Sequence, residues 1–146
     1  MPPFQKILVP VDGSSTSDKA LQYALALAQA NHSQVRVLYA IDELANLSSY
    51  EYAGEFLATA RQQGRQVLQQ AMDAAKAKTV SADTRLAEES GQRLGQTVAD
   101  EAQLWAADLI VVGTHGRRGI GRVLLGSGAE QIIRMAPVAV LSVRGE

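Results

Sequence analysis

The chain has 146 residues, of which 47% are hydrophobic and 20% charged, with a formal net charge of -1. This size and composition are typical of one globular domain, here 1–146, and argue against intrinsic disorder. The 14 basic and 15 acidic side chains give no basic excess, so no nucleic acid is expected as a partner. Because cysteine is absent, disulfides, thiolate catalysis and cysteine metal ligands are excluded.

Neither a targeting segment nor a membrane anchor is indicated by the sequence. The first residues show no charged leader followed by a long apolar run. No stretch approaches the roughly 18 apolar residues of a membrane span. We therefore expect a cytoplasmic protein without a membrane span.

Short apolar segments alternate with longer amphipathic ones along the chain. Strands are predicted at residues 7–11 (ending near Pro10), 35–41, 80–88, 108–112 and 138–143. Apolar spacing predicts helices through residues 20–28, 56–78, 94–105 and 129–136, with a loop at 42–54. This alternation predicts an α/β fold, a doubly wound, Rossmann-like, five-stranded and mostly parallel sheet with helices on both faces.

The segment after the fourth predicted strand has the composition of a phosphate-binding loop. Residues 113–129 contain six glycines and lead directly into a helix. Glycine lets backbone N–H groups approach an anion, and a helix N-terminus adds unpaired donors. Ser127 can cap that helix or bond a phosphate oxygen. A glycine-rich turn without a ligand is the alternative interpretation.

Two common phosphate signatures are not matched by this segment. The pair Gly126-Ser127 lacks the lysine of a Walker A motif. Gly116, Gly119 and Gly121 follow the fourth strand, whereas the dinucleotide fingerprint follows the first. The sequence therefore supports neither a P-loop motor nor a Rossmann dehydrogenase.

The chain resembles the universal stress protein family over its whole length. Residues 6–14, KILVPVDGS, are similar to the family's first strand and loop, and residues 136–144, APVAVLSVR, to its end. Gly113, Gly116, Gly126 and Ser127 match the pattern G-x2-G-x9-G-[ST] of its ATP-binding subgroup. The implied fold is that of the universal stress protein and adenine nucleotide α-hydrolase-like group.

The resemblance implies that ATP is bound, with Mg²⁺ or Mn²⁺ held by the phosphates and no metal ligand from the protein. Pro10 and Val11 would line the adenine pocket, and Asp12 would reach the ribose or the base edge. Ala40 would offer its backbone to adenine, with Val112 packed nearby. The residues expected around ribose and phosphates are Gly113, Gly116, Arg117, Gly126, Ser127, Gly128 and Ala129. Gly128 stands where relatives often carry valine, and it is expected to give the phosphates more room.

No set of nucleophile, base and orienting group is visible, so no catalytic residue is predicted. The resemblance implies an ATP-binding regulatory module of the stress response that acts through an unidentified partner protein. It also implies a homodimer, or a higher oligomer, formed through the last strand from Val138 to Val143. Three alternatives are open: a slow ATPase or phosphotransferase, a nucleotide-free dimeric scaffold resembling a chaperone, and an electron-transfer flavoprotein subunit.

Overall fold

The computed structural model describes residues 4–41, 53–88, 92–114 and 127–145, with only the backbone described at positions 53 and 127. Strands and helices alternate through these ranges. The strands are β1 (Lys6–Pro10), β2 (Gln34–Ala40), β3 (Ser81–Ala87), β4 (Leu109–Thr114) and β5 (Ala139–Arg144). The helices are α1 (Ser15–Asn31), α2 (Ala53–Ala77), α3 (Leu94–Trp105) and α4 (Ser127–Met135).

The five strands form one parallel sheet in the order β3-β2-β1-β4-β5. The chain therefore moves outward from β1 to β3, returns past β1, and moves outward again on the other side. This order confirms the predicted α/β fold with a parallel, doubly wound sheet. The strand order reverses between β1 and β4, where such sheets open a crevice at their carboxyl edge.

Each face of the sheet carries its own hydrophobic core. Ile7 and Val9 pack with α1 and α2 on one face, whereas Leu8 packs with α3 and α4 on the other. All three side chains are 0% exposed, so β1 is buried on both faces, as its uninterrupted apolar sequence predicted. Burying each such side chain contributes about 1.5–3 kcal/mol, which strongly stabilises the centre of the sheet.

The predicted strand ends lie within two residues of the observed ends, whereas α1 and α2 differ by more. α1 runs from Ser15 to Asn31, beyond the predicted 20–28 on both sides. β1 ends at Pro10, which has no N–H to donate, and the Val11 N–H then bonds the Leu38 carbonyl oxygen at 2.8 Å. β4 continues to Thr114, so Gly113 lies in the strand rather than in the loop where it was predicted. α2 begins at Ala53, inside the predicted loop 42–54, and residues 42–52 lie outside the described part of the chain.

A glycine in the middle of α2 allows this helix to approach the sheet closely. A Cβ atom at Gly64 would lie 2.8 Å from Cδ1 of Leu86 and 2.8 Å from Cδ1 of Tyr39. Glycine weakens a helix interior, but here the two side chains occupy the space that any larger residue would need. Gly64 therefore belongs to the packing of α2 on β2 and β3.

Among the helices that the structure describes, none has both the length and the hydropathy needed to span a bilayer. α2 has 25 residues, but it is amphipathic, with polar residues on the face away from the sheet. Length alone therefore does not make it a candidate for a membrane span.

Candidate functional site

A cavity of ≈ 170 Å³ opens at the carboxyl edge of the sheet, where β1, β2 and β4 end. This is where the strand order reverses, the usual location of ligands in open parallel sheets. The volume is several times the roughly 30 Å³ occupied by one water and smaller than the roughly 300 Å³ of a small drug-sized site. The described walls therefore leave room for a small organic group.

The cavity brings together predicted site residues from four separate segments. Those that line it are Pro10, Val11, Asp12, Ala40, Val112, Gly113, Gly128 and Ala129. Gly116, Arg117 and Gly126 lie outside the described residues. Ser127 is the first residue of α4, and only its backbone is described.

The turn between β1 and α1 forms the polar side of the cavity. The Ser14 N–H donates to Oδ1 of Asp12 at 2.9 Å, and the Asp12 N–H donates to Oγ of Ser17 at 3.3 Å. Ser14 is the N-cap of α1, and its Oγ accepts from the Ser17 N–H at 3.2 Å. Gly13 takes φ +86, a left-handed conformation that glycine adopts without strain. These contacts hold the Asp12 carboxylate in one orientation beside the cavity.

Asp12 also affects the ionisation of a tyrosine on the neighbouring strand. Burial raises the pKa of the Tyr39 phenol, and the negative charge of Asp12 raises it further. Tyr39 is one of the two residues that lie beside Gly64 of α2. The negative charge of Asp12 at the cavity therefore acts on the Tyr39 phenol, which packs against α2.

Gly113 lies where the backbone of β4 meets the first turn of α1. A Cβ atom here would stand 2.6 Å from the carbonyl oxygen of Thr16 and 2.8 Å from its Cγ2. This close approach gives a packing reason for glycine at position 113, independent of any bound phosphate.

The opposite wall of the cavity is formed where α3 and α4 pack together. A Cβ atom at Gly95 would lie 2.7 Å from Cβ of Gln131, and the Gly95 N–H donates to Oε1 of Gln131 at 3.1 Å. A Cβ atom at Gly128 would lie 2.8 Å from Cδ2 of Leu94. The additional room that Gly128 was expected to leave for phosphates is thus occupied by Leu94.

Several lining residues were not among the predicted site residues: Ser14, Thr16, Ser17, Leu38, Leu94, Thr114 and Ile132. Ser14, Thr16 and Ser17 follow shortly after Asp12 and belong to the N-cap and first turn of α1. This N-cap pattern could have indicated them from the sequence. Leu94 and Ile132 read as ordinary apolar positions of amphipathic helices. Only the packing of α3 on α4 brings them to the cavity.

A second group of charged side chains lies on the α3 face of the sheet. The buried Glu101 accepts from Nη1 of Arg36 at 2.8 Å and from Nε of Arg85 at 3.1 Å. The Arg36 guanidinium also lies 4.8 Å from the ring centroid of Trp105. Trp105 packs against the core between α3 and the sheet. None of these residues lines the cavity.

No group of three or more histidine, aspartate or glutamate side chains within the described ranges is arranged to hold a metal ion. Asp12 supplies the one carboxylate among the described residues that line the cavity. One carboxylate is a sparse site for Mg²⁺ unless phosphate oxygens provide further ligands.

The family of the chain follows from comparison with known proteins. The model described as "Universal stress protein family" matches residues 3–144. The chain belongs to the universal stress protein family. One relative, Universal stress protein MJ0531 of Methanocaldococcus jannaschii, is 33% identical over 146 residues, which cover 97% of this chain and 82% of the relative.

Solved structures of the family share the fold described above. A family protein from Burkholderia pseudomallei has a TM-score of 0.80 and 29% identity, covering 96% of both chains. The universal stress protein from Archaeoglobus fulgidus, solved in complex with dAMP, has a TM-score of 0.73 and 18% identity, covering 96% of this chain and 98% of that one. At 18% identity the second likeness concerns the fold.

Proposed function

We propose that the chain binds an adenine nucleotide, ATP, at the cavity between β1 and β4 and acts as a nucleotide-responsive regulatory module in the cytoplasm. The observation that carries the proposal is the convergence of four distant segments, around Asp12, Ala40, Gly113 and Gly128, on one cavity. The cavity lies at the reversal of the strand order, next to the segment that carries G-x2-G-x9-G-[ST].

The lining divides into parts that suit different portions of a nucleotide. Leu38, Val112 and Ile132 offer hydrocarbon, which suits the face of a base. Asp12 offers a carboxylate that can accept from ribose hydroxyls. The described lining suits a base and a sugar, and we assign the phosphates to the glycine-rich segment that contains Gly116 and Ser127.

The phosphates would be held mainly by backbone N–H groups of the glycine-rich segment. The residues proposed for this role are Gly113, Gly116, Arg117, Gly126, Ser127, Gly128 and Ala129. A divalent ion, Mg²⁺ or Mn²⁺, would be held by the phosphates, because the described cavity offers it only one carboxylate. The dAMP complex of the Archaeoglobus fulgidus relative supports an adenine nucleotide as the ligand class.

Binding is better supported than turnover. Efficient ATP hydrolysis needs a positioned water and a group that stabilises charge on the γ-phosphate. The described lining contains one charged side chain, Asp12, and no adjacent base with a third orienting group. A slow ATPase is therefore the second candidate, and a nucleotide-free scaffold is the third.

We further propose a homodimer formed through β5. This strand is at the edge of the described sheet, and Leu141 on it is 37% exposed. An exposed apolar edge strand is a site at which another chain can pair. Leu141→Glu should convert the native dimer to a monomer in light scattering, whereas a monomeric native protein at the same concentration would contradict the dimer.

The nucleotide proposal is tested by calorimetry with ATP and Mg²⁺ on the native chain and on Gly116→Val. We expect the native chain to bind and the folded variant to lose binding, because a bulky side chain would block the approach of phosphate to the backbone. Gly54→Ala serves as the matched control, since a Cβ atom there meets nothing within 4 Å. Its affinity should equal that of the native chain.

The same samples separate the alternatives. Absence of ATP binding in the folded native chain would contradict the proposal and favour the scaffold. Release of labelled phosphate well above the level of Gly116→Val would favour the enzyme. A yellow preparation would favour the flavoprotein alternative.

A further inference from the structure

The wall of the cavity between α3 and α4 combines one large side chain with one missing side chain. Leu94 opens α3, lines the cavity and remains 36% exposed. Its Cδ2 occupies the space where a Cβ atom of Gly128, only 2.8 Å away, would lie. Gly128 is the second residue of α4 and lines the same cavity. The end of the Leu94 side chain thus fills the space that a side chain at position 128 would occupy.

We propose that Leu94 and Gly128 together determine ligand size at this site, and that Leu94 contacts the uncharged nucleoside portion of the nucleotide. This inference rests on the proposed function and adds a specificity-determining residue to it. Leu94 presents only hydrocarbon, and Ala129 and Ile132 beside it are also apolar. A phosphate that leaves water for this wall would lose hydrogen bonds that hydrocarbon cannot replace. The face of a base or a sugar makes few hydrogen bonds with water, so its transfer to the wall costs little.

The backbone around this pair is held in place by a separate contact between the two helices. Gly95 follows Leu94, and its N–H donates to Gln131 on α4 at 3.1 Å. Gly95 has no Cβ atom, so the backbone of α3 lies close to Gln131 at this point. The relative position of α3 and α4 is therefore fixed close to the cavity, and the end of the Leu94 side chain is the part of the wall that can move.

The two residues should consequently affect binding in a coupled way. Truncation of Leu94 removes apolar contact with the ligand and widens the cavity. A side chain at position 128 instead pushes the end of Leu94 aside into the cavity and narrows it. When both changes are made, the new side chain occupies the space that Leu94 has left, so the volume of the wall is nearly conserved.

The test is a double-mutant cycle in which calorimetry measures the affinity for adenosine, AMP and ATP. The variants are Leu94→Ala, Gly128→Val and the combination of the two. Loss of apolar contact in Leu94→Ala and narrowing of the cavity in Gly128→Val are each expected to weaken binding about tenfold. The combined variant should bind within about threefold of the native chain, because valine refills the wall. Leu94→Ala should weaken adenosine, AMP and ATP by the same factor.

The chain offers matched controls for both positions. Leu104 lies on the same helix and is 82% exposed, so Leu104→Ala should leave the affinities unchanged. Gly54→Ala controls for the glycine substitution. Circular dichroism on every variant separates a change in affinity from loss of the fold.

The possible results are distinguishable. Additive losses of about a hundredfold in the combined variant would overturn the coupling of Leu94 and Gly128. A loss for ATP without a loss for adenosine would overturn the nucleoside contact. Failure of the native chain to bind any of the three ligands would overturn the proposed function itself, and this inference with it. Binding by the native chain with unchanged single variants would overturn the inference alone.

Discussion

The missing side chain of Gly113 brings the backbone of β4 against Thr16, whose carbonyl oxygen would lie 2.6 Å from a Cβ atom at position 113. The obstacle is backbone of α1, which cannot rotate away as the end of a side chain can. We therefore expect Gly113→Ala to lower the free energy of unfolding by about 1–3 kcal/mol. Urea denaturation measures this change.

Gly54→Ala is again the matched control for this glycine. A Cβ atom there meets open space, and alanine is the better helix former, so stability should stay equal or rise by up to about 1 kcal/mol. Equal stability of the Gly113→Ala variant and the native chain would show that the contact with Thr16 relaxes without cost.

The buried carboxylate of Glu101 makes a second prediction. Glu101→Ala removes the acceptor that Arg36 and Arg85 share on the α3 face of the sheet. We expect a loss of about 1–3 kcal/mol in the free energy of unfolding, because both arginines lose one of their acceptors at a partly buried site. The comparison variant is Glu130→Ala, which breaks an exposed pair with Arg134 and should change stability by less than about 1 kcal/mol. Equal losses in the two variants would contradict the structural role of Glu101.

The cap of α1 gives a third prediction. Ser14→Ala removes the Oγ that accepts from the Ser17 N–H at 3.2 Å. The expected loss in the free energy of unfolding is about 1 kcal/mol. Ser15→Ala changes the first residue inside the helix and should cost less, because Ser15 is exposed and does not cap. A larger loss of stability in Ser15→Ala than in Ser14→Ala would contradict the assignment of Ser14 as the N-cap.

Stability at alkaline pH should depend on Tyr39. Burial, and then the charge of Asp12, raise the pKa of its phenol above the usual 10.0. Above this pH the unfolded chain releases the proton more readily than the folded chain. The contribution of Tyr39 is therefore complete below pH 10.0 and is lost as pH rises through the higher pKa of the folded state.

Denaturation in urea at increasing alkaline pH measures this dependence. Tyr39→Phe should decrease the fall in stability, and Asp12→Asn should decrease it by less, because burial is the larger cause. Tyr23→Phe should leave it unchanged, since Tyr23 is 51% exposed. An identical alkaline profile in the native chain and Tyr39→Phe would contradict the raised pKa.

The positions of the strands could be predicted closely, because an uninterrupted apolar segment indicates a strand buried on both faces. β1 and β4 are buried on both faces and read as uninterrupted apolar segments, with ends displaced by only one or two residues. The order of the strands in the sheet could not be predicted in the same way, because right-handed crossovers permit several doubly wound arrangements. The pairing of Ile7 with Leu109 depends on packing between parts of the chain far apart in sequence.

The residues of the cavity divide in the same way into those that a local sequence pattern indicates and those that depend on packing between distant segments. Asp12 and Gly113 could be proposed because they lie near the carboxyl ends of strands and carry recognisable local patterns. Leu94 could not, since its contact with Gly128 depends on how two helices cross. A glycine weakens the interior of a helix, and only the positions of Tyr39 and Leu86 explain why Gly64 is found in α2. The partners of Glu101 could not be predicted either, because its two arginines come from strands that the local sequence does not connect to it.

The central place of β1 has a consequence for the newly made chain. β1 is synthesised first, but its neighbour β4 begins only at Leu109. At roughly 5–20 residues per second, the ribosome needs about 5–20 seconds to make the intervening residues. During this interval β2 can cover one edge of β1, while the other edge presents unpaired N–H and carbonyl groups beside fully apolar side chains. A nascent chain stalled before Leu109 should therefore be the species most prone to aggregation and most in need of a chaperone.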